Sequence, residues 1–197
     1  MNIRSLLLLC VAVTSLSACG SDGGGGGSGG DLSQTTTPAT PPPVISNTQA
    51  LSPGTYKLAF SAISSARLVA PISGIDVAVK LPAGLSVSTV TGGSSGQITS
   101  TSITPGSAIL ATSLAFGNYS ASTRTAYLSM ATSQDTYRGG QFLNLLFTVA
   151  SGTSITPNDI YALNVSYPKY KVVGLDTVTH STVTMTGSVL TTLGVER

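Results

Sequence analysis

The sequence predicts an all-β fold: a two-sheet sandwich of about nine short strands behind a disordered N-terminal tether. Three observations predict it. From Val44 onward the apolar residues recur with period two and are rich in β-branched types. Gly, Pro, Asn and Ser interrupt them at intervals of roughly 8 to 15 residues. No stretch carries the apolar stripe of a three-turn amphipathic helix, and no internal repeat is present.

In chain order, residues 1–18 come first and read as an export leader. Arg4 precedes an apolar run, Leu6 to Val13, that is too short to span a bilayer because Thr14, Ser15 and Ser17 interrupt it. Leu16-Ser17-Ala18-Cys19-Gly20 resembles a bacterial lipobox, which makes Cys19 the expected site of lipidation and the mature N-terminus. The absence of an acidic residue at position 20 resembles the outer-membrane sorting pattern, so a lipid-anchored place in the bacterial envelope is expected, with the bilayer as a partner through Cys19. Cys10 leaves with the leader, so no disulfide can form within the mature chain. Residues 19–43 are then a glycine-rich coil followed by a Thr/Pro-rich spacer stiffened at Pro41-Pro42-Pro43. The glycines do not read as a phosphate loop, since no strand precedes and no helix follows them.

The folded body is expected over residues 44–197. Strands are predicted at Thr55 to Ile63, Gly74 to Leu81, Leu85 to Val90, Gln97 to Ile103, Ser107 to Phe116, Arg124 to Ala131, Gln141 to Val149, Tyr161 to Tyr167 and Thr182 to Leu190. The second alternates cleanly, with Ile75, Val77, Val79 and Leu81 on one face and Asp76, Ala78 and Lys80 on the other. Thr156-Pro157-Asn158-Asp159 reads as a helix cap, so one helical turn is predicted before Tyr161. Glu196 falls in an expected frayed tail.

Composition excludes several function classes. Only 8% of residues are charged and the formal net charge is +2, with no basic cluster, so no nucleic-acid partner is expected. One histidine, His180, and one glutamate leave little for acid–base chemistry, and the chain is not expected to be an enzyme. In an extended stretch His180 would lie about 13 Å from Asp176, too far for a catalytic pair. No cofactor is expected. Calcium is the one ion the donors could hold, through Asp135, Asp159 and Asp176, although no Asp-x-Asp-x-Asp spacing exists.

The segment from Gly74 to Leu85 (Gly-Ile-Asp-Val-Ala-Val-Lys-Leu-Pro-Ala-Gly-Leu) resembles the early strand–turn–strand of cohesin-like domains. Asn118, Arg124 to Met130, and Gly140 to Val149 resemble that family's asparagine, middle strand and glycine-led strand. The resemblance spans residues 50–192. It implies a nine-stranded jelly-roll sandwich of the superfamily shared with carbohydrate-binding modules, in which cohesins bind calcium-loaded dockerins through one sheet. Two departures remove the dockerin as a specified partner: Leu81 fills an aromatic slot and the aspartate before Pro82 is absent, and a single domain sits on a tether.

A candidate binding face follows. Core-facing Ala126, Leu128 and Met130 leave Tyr127 pointing outward between Thr125 and Ser129. The resemblance implies that Asp76, Ala78 and Lys80 share that face, with Asn164 and Ser166 joining it. Tyr167 and Tyr170, with Lys169 and Lys171, form either a second patch or a guarded edge. The expected function is a lipid-anchored recognition module for a protein, dockerin-like or other, or for a polysaccharide. The alternative is a structural lipoprotein held permanently in an envelope assembly, which would expose an apolar patch such as Phe142 and Leu146 instead of burying it in the core of a covered strand.

Overall fold

The computed structural model describes residues 45–64, 67–92, 96–165 and 169–197. The chain divides into two units, Met1–Thr40 and Pro41–Arg197, and only the second contains described residues. The leader, Cys19, the tether, Tyr167 and Ser166 therefore lie outside them.

Two antiparallel sheets pack as a sandwich. The first holds β1 (Gly54–Ser64), β3 (Leu85–Ser86), β4 (Ile103–Pro105), β7 (Gly140–Val149) and β10 (Val189–Glu196), in the order β10-β1-β7-β3 with β4 also on β7. The second runs β5-β6-β2-β8-β9, from β5 (Leu114–Ser120), β6 (Thr125–Ala131), β2 (Ile72–Lys80), β8 (Lys169–Leu175) and β9 (Thr182–Thr184). Between them Leu58, Phe60, Leu143, Leu145 and Phe147 meet Ile75, Val77, Val79, Leu128, Met130 and Val172, all buried. Each set is every second residue of its strand, so the pleat alone delivers an apolar layer to the interior. Phe60 and Phe142 tilt against each other at 6.3 Å, and Tyr56 stacks on Phe147 at 5.9 Å.

Strict alternation fails at one point in β7. The β1–β7 register slips so that Phe60 faces Leu143 but Ser61 faces Gln141, leaving Phe142 as the extra residue of a bulge. Consecutive Phe142 and Leu143 thus both enter the core at 0% exposure, while Leu146 stays on the outer face. The chain before β5 crosses at this bulge: Gly106 N–H donates to the Phe142 carbonyl and Ala108 N–H to that of Gln141, each at 2.9 Å. A Cβ at Gly106 would run into the Gln141 carbonyl, so only glycine allows that approach.

Several predicted elements are displaced. Residues 107–113 form turns rather than a strand, pinned to β7 by those two bonds and by buried Ile109, and β5 begins only at Leu114. Of Leu85 to Val90 only Leu85 and Ser86 join a ladder, and Gln97 and Ile98 make isolated bridges. Arg124 is a left-handed turn residue (φ 53°) rather than the start of β6. The expected helical turn extends into α1 (Pro157–Leu163) and takes up the start of the strand predicted at Tyr161. Its capping box is complete, with Asp159 N–H donating to the Thr156 hydroxyl and Thr156 N–H to the Asp159 carboxylate. The strand predicted over Thr182 to Leu190 is cut by a 3-10 turn, Thr186–Ser188, which carries the chain from one sheet to the other. Glu196 is not frayed: it closes β10 opposite Lys57, with an ion pair of 2.6 Å.

Candidate recognition face

The face around Tyr127 is built by register. Across β5, β6, β2 and β8 the outward residues align in rows. One runs Asn118–Tyr127–Ala78, with the backbone of Lys169 next in register, and the next runs Phe116–Ser129–Asp76–Lys171. A third runs Ser120–Thr125–Lys80, and on the far side Leu114, Ala131 and Gly74 align. Asp76, Ala78, Lys80, Thr125, Tyr127 and Ser129 are thus brought to one sheet face, and Ser129 donates to the Asp76 carboxylate at 2.7 Å. Tyr127 stands 56% exposed at its centre. A depression of about 280 Å³ lies between Tyr127, Asp76, Ala78, Ser129 and Lys171. A wider one, about 770 Å³, lies on its other side among Asn118, Ser120, Ser86 and Gly96. The ring is therefore a ridge between two hollows, approachable on both sides.

Two predicted members do not serve this face. Thr125 is buried, and its hydroxyl donates to the Thr123 carbonyl at 3.2 Å. Asn164 is not an outward strand residue but the buried C-cap of α1. Its side-chain amide accepts from Lys80 N–H at 2.9 Å and donates to the Lys80 carbonyl at 2.8 Å and to the Ile160 carbonyl at 2.7 Å. The pairing of β8 with β2 ends at Ala78 opposite Lys169, and the Asn164 amide takes the place of the next strand residue for Lys80. It reproduces the donor and acceptor of a peptide group and so satisfies an otherwise orphaned strand edge.

Sequence reasoning missed Leu114 and Phe116, which stand 64% and 56% exposed on the same face. Their alternation with Ala115 and Gly117 was readable, but the strand frame was set seven residues early, at Ser107, and their direction was lost. Tyr170 leaves the second predicted patch: it lies opposite Val77 and packs half-buried against the core, while Lys171 points outward opposite Asp76. No strand is predicted over β8, where the sequence reads as either a second patch or a guarded edge.

Two of the three calcium candidates, Asp159 and Asp176, have structural employment. Hydrogen bonds from Thr156 hold the Asp159 carboxyl below its usual range. Asp176 is lowered likewise, first by the backbone N–H groups of Thr179 and Val178, with a smaller contribution from His180. The loop turns back on itself, His180 N–H donating to the Asp176 carbonyl at 2.9 Å, so the extended separation predicted for this pair does not hold. Among the described residues no three of His, Cys, Asp and Glu gather as a metal site. No helix among them is long and apolar enough to cross a membrane. No family model matches the chain, and no match is found among curated proteins or solved structures.

Proposed function

We propose that this protein is a non-catalytic, lipid-anchored recognition module of the bacterial envelope that binds a protein or a glycan through the outer face of the β5-β6-β2-β8 sheet. The observation that carries the reading is Tyr127, an exposed ring on a rigid strand, ringed by Asn118, Ala78 and Ser129 and flanked by two hollows. Such a ring can be buried by a partner at little entropic cost, because only two side-chain torsions are fixed. Phe116, diagonal to it across β5 and β6, widens the apolar contact. A permanently assembled subunit was expected to expose an apolar patch such as Phe142 and Leu146, and with Phe142 buried that particular patch does not form.

The test has two parts. Pull-down from an envelope extract identifies the partner, and Tyr127→Ala then weakens its binding about tenfold, equivalent to ~1.4 kcal/mol, with the thermal midpoint unchanged. A lowered midpoint with intact binding would make Tyr127 a packing residue. Anchoring is checked separately: wild type partitions into detergent, and Cys19→Ser is released or remains an unprocessed precursor. Equal aqueous partitioning of both would remove the lipid anchor.

A further inference from the structure

A second concavity has a chemistry unlike that of the Tyr127 face. It lies where β1 ends, is lined by Ser64, Arg67, Leu68, Val69 and Arg138, and measures about 580 Å³. The described body begins near the start of β1, where Ile45, Tyr56 and Arg197 share a hollow. The eleven residues of β1 separate the two ends by roughly 35 Å.

Arg67 and Arg138 both line this concavity, and among the described residues no carboxylate lines it with them. In a chain with 8% charged residues, that pairing cannot be attributed to crowding of charge. The one ion pair among the described residues, Lys57 with Glu196, lies elsewhere. The nearest acid in sequence, Asp135, offers Arg138 only its backbone carbonyl, at 3.2 Å. Asp135 lines a different hollow, with Pro71, Gln134 and Thr177.

Arg138 is also positioned. Its Nη1 donates to the Asp135 and Tyr137 carbonyls at 3.2 and 3.4 Å. Of the five guanidinium donors these use two, and among the described residues Nε and Nη2 have no other partner. Tyr137 beside it is buried, donates its hydroxyl to the Gly140 carbonyl at 3.0 Å, and accepts at its own carbonyl from Ile72 N–H at 2.9 Å. Leu68 and Ala70 are buried and seat the chain that follows Arg67 on the core. Both heads are exposed, so a ligand need not displace packed groups.

We propose that this concavity binds a phosphate-type oxyanion carried on a larger molecule. A carboxylate has two oxygens and satisfies one guanidinium fork. A tetrahedral dianion has oxygens enough for two forks and the Ser64 hydroxyl, and its charge matches the two arginines. The hollow is far larger than one phosphate, and Val69, 81% exposed on its rim, offers an apolar contact to whatever carries the group.

The full-length chain is titrated with inorganic phosphate at constant ionic strength while the arginine Nε–Hε resonances are followed by NMR. Saturable shifts at millimolar phosphate are expected for Arg67 and Arg138. In R67Q or R138Q the affinity falls tenfold or more at an unchanged thermal midpoint, and R138K falls as well because an ammonium lacks the fork. Shifts that stay linear and are reproduced by chloride, or variants that titrate like wild type, overturn the site. Given saturation, flotation of the full Cys19→Ser chain, which carries no lipid, with phosphatidylglycerol vesicles identifies the source, with phosphatidylcholine vesicles as control. An excess of that chain over its R67Q form assigns a phospholipid headgroup, and equal flotation assigns a soluble phosphate ester.

Discussion

The outer faces of the two sheets differ in what engages their polar groups. On the β10-β1-β7 sheet the chain uses them itself. Lys57 pairs with Glu196, Asn144 donates to the Pro105 carbonyl at 3.2 Å, and Gln141 accepts from the Ser107 hydroxyl at 2.9 Å. Its exposed apolar pair, Ile63 and Leu190, sits directly opposite across strands, in register to contact each other. On the β5-β6-β2-β8 sheet Leu114, Phe116 and Tyr127 stand on three successive outward rows, none directly opposite another, and the polar residues beside Tyr127 form hollows. A face whose polar groups mostly find partners within the chain, the Asn144 Oδ1 excepted, contributes to folding; a face that sets exposed rings beside polar hollows is suited to a partner.

The largest effect that would test this contrast lies beneath the first face. Phe142→Ala removes a ring that the bulge drives into the core and is expected to cost about 3–5 kcal/mol, read as the loss in urea unfolding free energy. A cost under ~1 kcal/mol would mean the ring is not held there. Next, Asn164→Ala leaves the Lys80 N–H and carbonyl and the Ile160 carbonyl without their partner. About 3 kcal/mol is expected, a fall of ~6–12 °C in midpoint by calorimetry. A drop in partner binding at full stability would instead return Asn164 to the recognition face. Phe116→Ser should change stability by less than about 0.5 kcal/mol yet weaken partner binding, and the opposite pattern would erase the distinction between the faces.

The smallest expected effect is a pH dependence. The carboxyl of Asp159 titrates lower in the folded protein than its reference value of 3.8, so its contribution is present above that pH and lost as pH falls through the folded value. Between pH 5 and 2 the wild-type midpoint should therefore fall slightly more than that of Asp159→Asn. Parallel curves would show that the capping box adds nothing through charge.

Legibility followed the range of the interaction. β2, β6 and most of β7 were readable because alternation alone sorts Ile75, Val77 and Val79, or Ala126, Leu128 and Met130, to one side. The outward direction of Asp76, Ala78, Tyr127 and Ser129 followed at once. Helix α1 was readable at its start, where Thr156 and Asp159 meet within one turn, but not at its end. Tyr161, Leu163 and Val165 alternate like a strand, and nothing local shows that Ile160 is the residue to be buried.

By itself, then, the sequence determined the all-β class, the strand faces and the position of the cap, since each is a rule about neighbours a few residues apart. The tertiary structure decided which strands adjoin, where β7 bulges, that Leu114 and Phe116 join Tyr127, and that Asn164 completes the edge of β2. Those features depend on partners far along the chain, 84 residues in the case of Lys80 and Asn164. A one-residue change of register sends a side chain to the opposite face, and local periodicity carries no information about register between strands.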